Sequence, residues 1–108
     1  MNQTRPRFDV PMAILVGLPR ESEDVCRAVL DYAAFHIESV ETEAAAVERI
    51  PAVMPHIVVV PLGAALDEIS ERTRAVGAEL VELPPNLGKD AVRKILKSAW
   101  ESAFKRAR

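Results

Sequence analysis

Short apolar runs alternate with amphipathic helical patterns along most of the chain, from Met12 onward. Residues 12–17 and 57–62 are continuously apolar, which is typical of strands covered on both faces, as in a parallel sheet. Residues 36–40 and 78–83 alternate apolar and polar side chains, which predicts half-exposed strands at the edges of that sheet. The pattern therefore predicts four strands, two of them central.

Helical periodicity fills the intervals between these strands and follows the last one, over residues 21–34, 43–50, 64–76 and from Lys89 or Asp90 onward. The first, third and fourth helices each have an apolar stripe that can pack against the sheet. The stripes contain Val25, Cys26, Val29, Leu30 and Ala33 in the first helix, Leu66, Ile69, Thr73 and Val76 in the third, and Val92, Ile95, Leu96, Ala99 and Ala103 in the fourth.

Local residues also predict where these helices begin and end. We expect Ser22 to be the N-cap of the first helix, because its hydroxyl can accept a hydrogen bond from a free backbone N–H. The second helix either stops near Pro51 or continues to Met54, and Gly77 ends the third.

The element order βαβαβαβα predicts an α/β fold with a three-layer, flavodoxin-like topology. Right-handed crossovers give a parallel four-stranded sheet of order 2-1-3-4, with helices on both faces. A chain of 108 residues is long enough for one domain, which we assign to residues 12–108. Residues 1–11 lack periodicity and are predicted to form a flexible N-terminal arm.

The composition is that of an ordinary globular domain, with 49% apolar residues and a net charge of −2. This charge gives no general attraction to nucleic acid or to an anionic membrane. The single cysteine, Cys26, excludes an internal disulfide and a zinc site that needs several thiolates, and its place on an apolar stripe predicts an inert core thiol. We expect a cytoplasmic protein.

Three segments resemble the receiver domains of bacterial response regulators, the CheY-like family. They are AFHIESVETEAAAVERI (residues 34–50), PHIVVVPLG (residues 55–63) and GAELVELPPNLGKDAVRKIL (residues 77–96). Their order and spacing are similar to the second, third and last βα units of a receiver. The resemblance covers residues 12 to about 104.

The resemblance implies a phosphorylation site, and four residues replace its chemical groups. Gly17 and Leu18 stand where a receiver has two metal-binding acids. Pro61 stands in place of the phosphoaccepting aspartate, and Leu83 stands in place of the lysine that precedes a proline. Phosphoryl transfer to a carboxylate needs an oxygen nucleophile, Mg²⁺ and a cation. We therefore predict a degenerate pseudo-receiver that is not phosphorylated on aspartate.

The chain is also shorter than the family pattern. Only residues 62–78 separate the third and last strands, which leaves room for one helix and its turns. One βα unit is therefore predicted to be missing. The family carries its switch residue and part of its dimerisation surface there. The last strand corresponds either to the fourth or to the fifth strand of the family.

The carboxyl edge of the predicted sheet is rich in proline and apolar residues, which favours a protein contact over a charged substrate. Arg20, Pro84 and Pro85 are candidate partner-binding residues there, and the prolines alternatively only stop strands. Trp100 and Phe104 share one face of the last helix, where they either cover the core or bind a partner.

Gly88 and Lys89 form a second candidate site, because backbone N–H groups and a lysine at a helix start can bind an anion. The alternative interpretation is a turn followed by a helix cap. His36 and His56 are expected to be exposed at the opposite edge of the sheet, with no metal site.

These features predict a non-enzymatic signalling or interaction module that binds proteins independently of aspartyl phosphorylation. The expected partner is a signalling component, a fused output domain or a second copy of the chain, with no cofactor. No nucleophile has a recognisable base. The alternative function is a small regulatory domain that binds a ligand or nucleotide at Gly88 and Lys89.

Overall fold

The computed structural model describes residues 10–64 and 67–106, and the eight predicted elements follow one another in the predicted order. They are β1 (Met12–Val16), α1 (Arg20–Tyr32), β2 (His36–Val40), α2 (Glu43–Val53), β3 (Ile57–Pro61), α3 (Asp67–Ala75), β4 (Glu79–Leu83) and α4 (Lys89–Arg106). Most of the predicted N-terminal arm lies outside the described residues, as does Leu66 of the third apolar stripe. The carbonyl of Pro11 accepts a hydrogen bond from the His36 N–H at 2.8 Å.

The four strands form one parallel sheet in the order β2-β1-β3-β4, which confirms the predicted topology. In the centre of the sheet, Leu15 pairs with Ser39 on one side and Val59 on the other, and Val59 pairs with Val81. The continuous apolar runs thus become the two central strands, because both of their faces are covered.

Side chains that alternate along β1 and β3 divide the core into two layers. One layer packs against α1 and α4, and the other packs against α2 and α3. The buried residues of the first layer include Ala13, Leu15, Cys26, Val29, Leu30, Ile57, Val59, Val92 and Leu96. Those of the second layer are Ile14, Val16, Ala46, Ile50, Val58, Val60 and Ile69. Helices therefore cover both faces, as predicted.

The start of α1 differs from the prediction, because Ser22 is not the N-cap. The helix begins at Arg20, and Pro19 takes the N-cap position without a side-chain hydrogen bond. Pro19 is extended, with φ of −56° and ψ of 150°, and the helix starts at the next residue, three residues earlier than a hydroxyl cap at Ser22 would allow. Ser22 lies within that first turn.

The second helix continues through its proline, as one of the two predicted alternatives requires. Thr42 caps it by accepting the Ala45 N–H at 3.1 Å. Pro51 falls in the last turn, where the missing N–H removes one helical hydrogen bond and the following residues still close the helix. The Met54 N–H bonds to the Ile50 carbonyl at 2.8 Å in a left-handed conformation.

Within residues 10–64 and 67–106, no helix is long and apolar enough to cross a membrane.

Candidate functional site

The candidate site is the carboxyl edge of the sheet, where ligands bind in open parallel α/β folds. Gly17 follows β1, Pro61 ends β3 and Leu83 ends β4, so the structure places them at one edge on three adjacent strands. Pro61 pairs directly with Leu83, and the Leu62 N–H donates to the Leu83 carbonyl at 3.0 Å. This register brings the ends of β3 and β4 together.

The four positions of the implied phosphorylation site carry no polar side chain. Gly17 has a φ of 59°, and its N–H bonds to the Val40 carbonyl at 2.9 Å, which holds β1 and β2 together where they end. Leu18 and Leu83 are buried in the layer shared with α1 and α4, and Pro61 is half-buried. Proline, leucine and glycine side chains offer no oxygen nucleophile or amine.

The Mg²⁺ ion that the receiver resemblance implies does not fit these residues, since Mg²⁺ is bound through carboxylates and other oxygen ligands. In the described part of the chain, no group of three or more histidine, cysteine, aspartate or glutamate residues is arranged to hold a metal ion. Three acids do border a groove of about 610 Å³ beside Gly17 and Leu18. The groove is lined by Gly17, Leu18, Arg20, Glu23, Asp24, Ser39, Val40 and Glu41.

Two carboxylates near this edge are already hydrogen-bonded. Glu82 Oε1 accepts the Gly63 N–H at 3.0 Å and so orders the loop that follows β3. Glu23 Oε2 accepts from Arg27 Nε and from the Ser39 hydroxyl, each at 3.1 Å. Arg27 Nη2 also donates to Ser39 Oγ at 2.6 Å, which ties α1 to β2. These acids hold the edge together.

The predicted partner-binding residues at this edge differ in exposure. Arg20 and Pro85 are exposed, whereas Pro84 is half-buried. The exposed surface continues onto Leu62, which is 60% exposed. The carboxyl edge therefore presents apolar and proline side chains to solvent, with Arg20 beside the groove described above.

The predicted anion-binding pair is divided between two neighbouring grooves. Gly88 lies with Glu21 and Leu87 in a groove of about 340 Å³. Lys89 begins α4 and lines a different groove with Tyr32. The Glu21 carboxylate repels an anion at Gly88, because like charges destabilise one another at close range. The anion site stays a prediction.

An aromatic cluster closes the opposite, amino edge of the sheet. Phe35 is buried, with the ring centroids of Trp100 and Phe104 at 5.1 and 6.2 Å. Trp100 is half-buried and Phe104 is 37% exposed. The two aromatics of α4 thus cover the core, and Phe104 still presents part of its ring to solvent.

The prediction of an exposed His56 is wrong, whereas His36 is exposed as predicted. His56 is half-buried because the end of α4 covers the start of β3. Its Nδ1 accepts the Met12 N–H at 3.1 Å, and its ring lies 5.3 Å from that of Phe104 in an edge-on arrangement. His56 is therefore part of the packing at this edge.

Sequence reasoning missed a second surface, between α1 and α4. A groove of about 250 Å³ is lined there by Val29, Tyr32, Lys89, Asp90 and Arg93. Tyr32 is 89% exposed. The available signal was that this tyrosine falls outside the apolar stripe of the first helix, although its ring is large.

Cys26 and Glu38, outside the carboxyl edge, have shifted pKa values. Burial raises the pKa of the Cys26 thiol to about 11, and the nearby Glu23 charge adds to the effect. This keeps the thiol protonated and agrees with an inert core cysteine. The side-chain hydrogen bond from Arg49 lowers the pKa of Glu38, against a smaller opposing effect of desolvation. Arg49 in α2 and Glu38 in β2 also form an ion pair.

Comparison with solved structures shows that the chain has a receiver fold. It is similar to the signal receiver domain of a putative Luxo repressor protein from Vibrio parahaemolyticus, with a TM-score of 0.63 and 14% sequence identity. The match covers 91% of this chain and 95% of that one. No protein-family model and no curated protein sequence matches the chain. The CheY-like topology predicted from the sequence is therefore confirmed as a fold.

Proposed function

We propose that this chain is a non-enzymatic signalling module, an atypical receiver that acts by binding proteins without aspartyl phosphorylation. The receiver fold supports a role in signalling. The observation that carries the proposal is the end of β3, where half-buried Pro61 pairs with buried Leu83. A phosphoaccepting residue must present an oxygen at this position, and proline has none in its side chain.

The neighbouring acids are poor substitutes for the absent aspartate. Glu82 is the acid closest in sequence to the end of β4, and its carboxylate already accepts the Gly63 N–H. Glu23 is held by Arg27 and Ser39. Using either as a nucleophile would break contacts that order the edge, and the positions corresponding to the metal-binding acids, Gly17 and Leu18, still offer no ligand.

Protein binding is the function that remains available to this edge. Leu62 and Pro85 are exposed, Pro84 is half-buried, and Arg20 adds a single positive charge. Apolar and proline surfaces bind proteins more readily than they bind small charged ligands. The partner we propose is a signalling component or an output domain, and self-association is the alternative. Trp100 and Phe104 offer a further contact at the opposite edge.

Phosphorylation independence is tested by incubating the purified chain with acetyl phosphate and Mg²⁺, followed by intact-mass analysis. A receiver domain with a complete acidic site, treated in parallel, is the positive control. We expect full modification of the control and none of this chain. Titration with beryllofluoride and Mg²⁺, followed by NMR, should likewise leave the amide signals of Leu62 and Leu83 unmoved.

Stoichiometric, Mg²⁺-dependent modification of the chain would contradict the proposal. The matched variants Glu82→Gln and Glu41→Gln would then show whether an acid of the carboxyl edge had accepted the phosphoryl group. Both side chains are exposed, and glutamine keeps their size, so the variants should fold.

A further inference from the structure

The groove between α1 and α4 lies on the face of the domain opposite α2 and α3. Its floor is Val29, and Tyr32 stands at its side with 89% of its surface exposed. Tyr32 is the most exposed large hydrophobic residue in the described part of the chain. Tyrosine and arginine are enriched among the residues that contribute most to protein binding, and Tyr32 and Arg93 line this groove together.

The two walls of the groove differ in chemistry. On α4 the groove is lined by Lys89, Asp90 and Arg93, and Lys97 lies one turn beyond Arg93 on the same side of the helix. On α1 it is lined by Val29 and Tyr32, and Ala28 lies one turn before Tyr32. Val29 is buried and the other side chains are exposed. The α4 wall therefore has a net positive charge, with Asp90 offsetting one of its cations, and the α1 wall is apolar and aromatic.

The positive charge of the α4 wall is largely uncompensated. The helix has six basic and two acidic side chains, although the chain as a whole has a net charge of −2. Arg93 reaches Asp90 at 3.5 Å. Lys89 and Lys97 form no ion pair with any residue of 10–64 or 67–106. A counter-charge from outside the described chain would complement this wall.

We propose that the α1–α4 groove binds an acidic amphipathic helix of a partner protein. The inference rests on the proposed function, since it names the surface and the kind of partner through which the module acts. The apolar face of the bound helix contacts Val29 and Tyr32. Its acidic flank faces Lys89, Arg93 and Lys97, so contact area and charge favour the same orientation.

The walls of the groove favour a helix over an extended peptide. The backbone N–H and C=O groups within α1 and α4 are already paired inside those helices. An extended peptide would therefore have no free backbone groups in the groove with which to form strand-like hydrogen bonds. A helix brings its own backbone hydrogen bonds. From Lys89 to Lys97 the wall is about 12 Å long, which matches about two turns of a partner with acids at four-residue spacing.

A second copy of this chain is a poorer occupant. The apolar stripes of α1 and α4 are already packed in one core layer and those of α2 and α3 in the other. Within residues 10–64 and 67–106, the copy therefore has no amphipathic helix whose apolar face is free. Its exposed acids would approach the basic wall without an apolar face beside them.

The probe is a designed helical peptide of about 18 residues, or five turns, with leucines on one face and glutamates on its flanks. A matched peptide has lysine in place of every glutamate. Each is titrated into the ¹⁵N-labelled full chain. We expect the acidic peptide alone to move the amide signals of Ala28, Tyr32, Arg93 and Lys97, with those of α2 and α3 unmoved.

Reversing the charges of α4 tests whether its basic side chains bind the acidic peptide. Arg93→Glu with Lys97→Glu should weaken binding of the acidic peptide by about tenfold or more. The control pair Arg72→Glu with Arg74→Glu, which reverses two exposed charges on α3, should change the affinity by less than about twofold. Both variants alter exposed residues, and circular dichroism checks that each is folded.

Three results would overturn the proposal: no binding of the acidic peptide at about 1 mM, equal binding of both peptides, or full affinity in the Arg93→Glu, Lys97→Glu variant. Sedimentation that shows a dimer broken by the same variant would instead assign the groove to a second copy. A failure here leaves phosphorylation independence standing, because acetyl phosphate tests that separately. A phosphorylated chain that still binds the peptide would reject only the proposed function.

Discussion

The rings of Phe35 and Trp100 pack with their centroids 5.1 Å apart and their planes tilted by 40°. Phe35 immediately precedes β2, and Trp100 lies in the last two turns of α4. This contact therefore holds α4 against the start of the edge strand β2. It also closes the α1–α4 layer at the amino edge of the sheet, where both rings pack against buried aliphatic residues.

We expect Phe35→Ala to lower the free energy of unfolding by about 3–5 kcal/mol, the range for deleting a buried aromatic ring. Phe104→Ala, at a ring that is 37% exposed, is the control and should cost clearly less. Urea denaturation followed by circular dichroism measures both. A double-mutant cycle with Phe35→Leu and Trp100→Leu should give a coupling of about 0.5–1.5 kcal/mol. Equal costs for the two alanine variants would contradict this account.

The architecture was predictable because its signals are local. Residues 57–60 are continuously apolar, and only burial on both faces of a sheet satisfies such a run in so short a segment. The alternation in His36–Val40 likewise predicted an edge strand. Strand order then followed from the handedness of the crossovers.

The features that could not be predicted depend on contacts between distant segments. His56 is half-buried because α4 reaches back over the start of β3, and nothing near His56 in sequence indicates this. Likewise, the groove at Tyr32 depends on how α1 and α4 lie against each other. The predicted start of α1 was wrong for another reason. Pro19 and Ser22 can each precede the first turn of a helix, and in the structure Pro19 is the N-cap.

The Cys26 thiol should make stability depend on alkaline pH. Its pKa is raised from 9.0 to about 11 in the folded chain, so the unfolded chain releases this proton first. The stabilising contribution is complete below pH 9.0 and is lost as the pH rises toward about 11. Cys26→Ala removes it. Urea midpoints measured at both ends of this range should therefore differ less in the variant than in the parent chain.

A thiol reagent gives an independent measurement for Cys26. Because the side chain is fully buried, modification of the native chain should be slow and should accelerate in parallel with unfolding in urea. Fast modification in the native state would contradict both the burial and the raised pKa.

Glu38 should titrate below its usual pKa of 4.5 because Arg49 donates hydrogen bonds to its carboxylate. The lowered pKa means that the pair stabilises the fold above pH 4.5 and that this contribution is lost as the pH falls through the folded pKa. Arg49→Gln should raise the pKa of Glu38, which carboxyl ¹³C shifts measure directly. High salt should weaken the effect, since both side chains are partly exposed. An unchanged pKa in the variant would contradict this assignment.

Gly17 and Ala34 should respond in opposite directions to exchange of glycine and alanine. Gly17 has a φ of 59° at the end of β1, and Gly17→Ala should destabilise the fold by about 1–2 kcal/mol because a Cβ is unfavourable there. Ala34 has a φ of 66° just after α1, so Ala34→Gly should stabilise by about 0.5–1 kcal/mol. Thermal unfolding measures both changes. The same sign for both would show that backbone conformation does not dominate.

The Glu82 carboxylate should order the loop after β3 through its bond to the Gly63 N–H. Glu82→Ala removes the acceptor and should cost about 0.5–1.5 kcal/mol, the net value of one such hydrogen bond. Glu82→Gln keeps an oxygen acceptor and is the matched control, so its cost should be smaller.

Hydrogen exchange separates a local effect from a global one. The Gly63 amide should lose protection in the alanine variant, whereas Val59 in the central strand should keep most of its own. Because Leu62 lies in the same loop, its exposed side chain should also lose its fixed position, which would weaken any partner contact at the carboxyl edge. Unchanged protection of Gly63 in Glu82→Ala would show that the loop is ordered by the Leu62–Leu83 backbone bond instead.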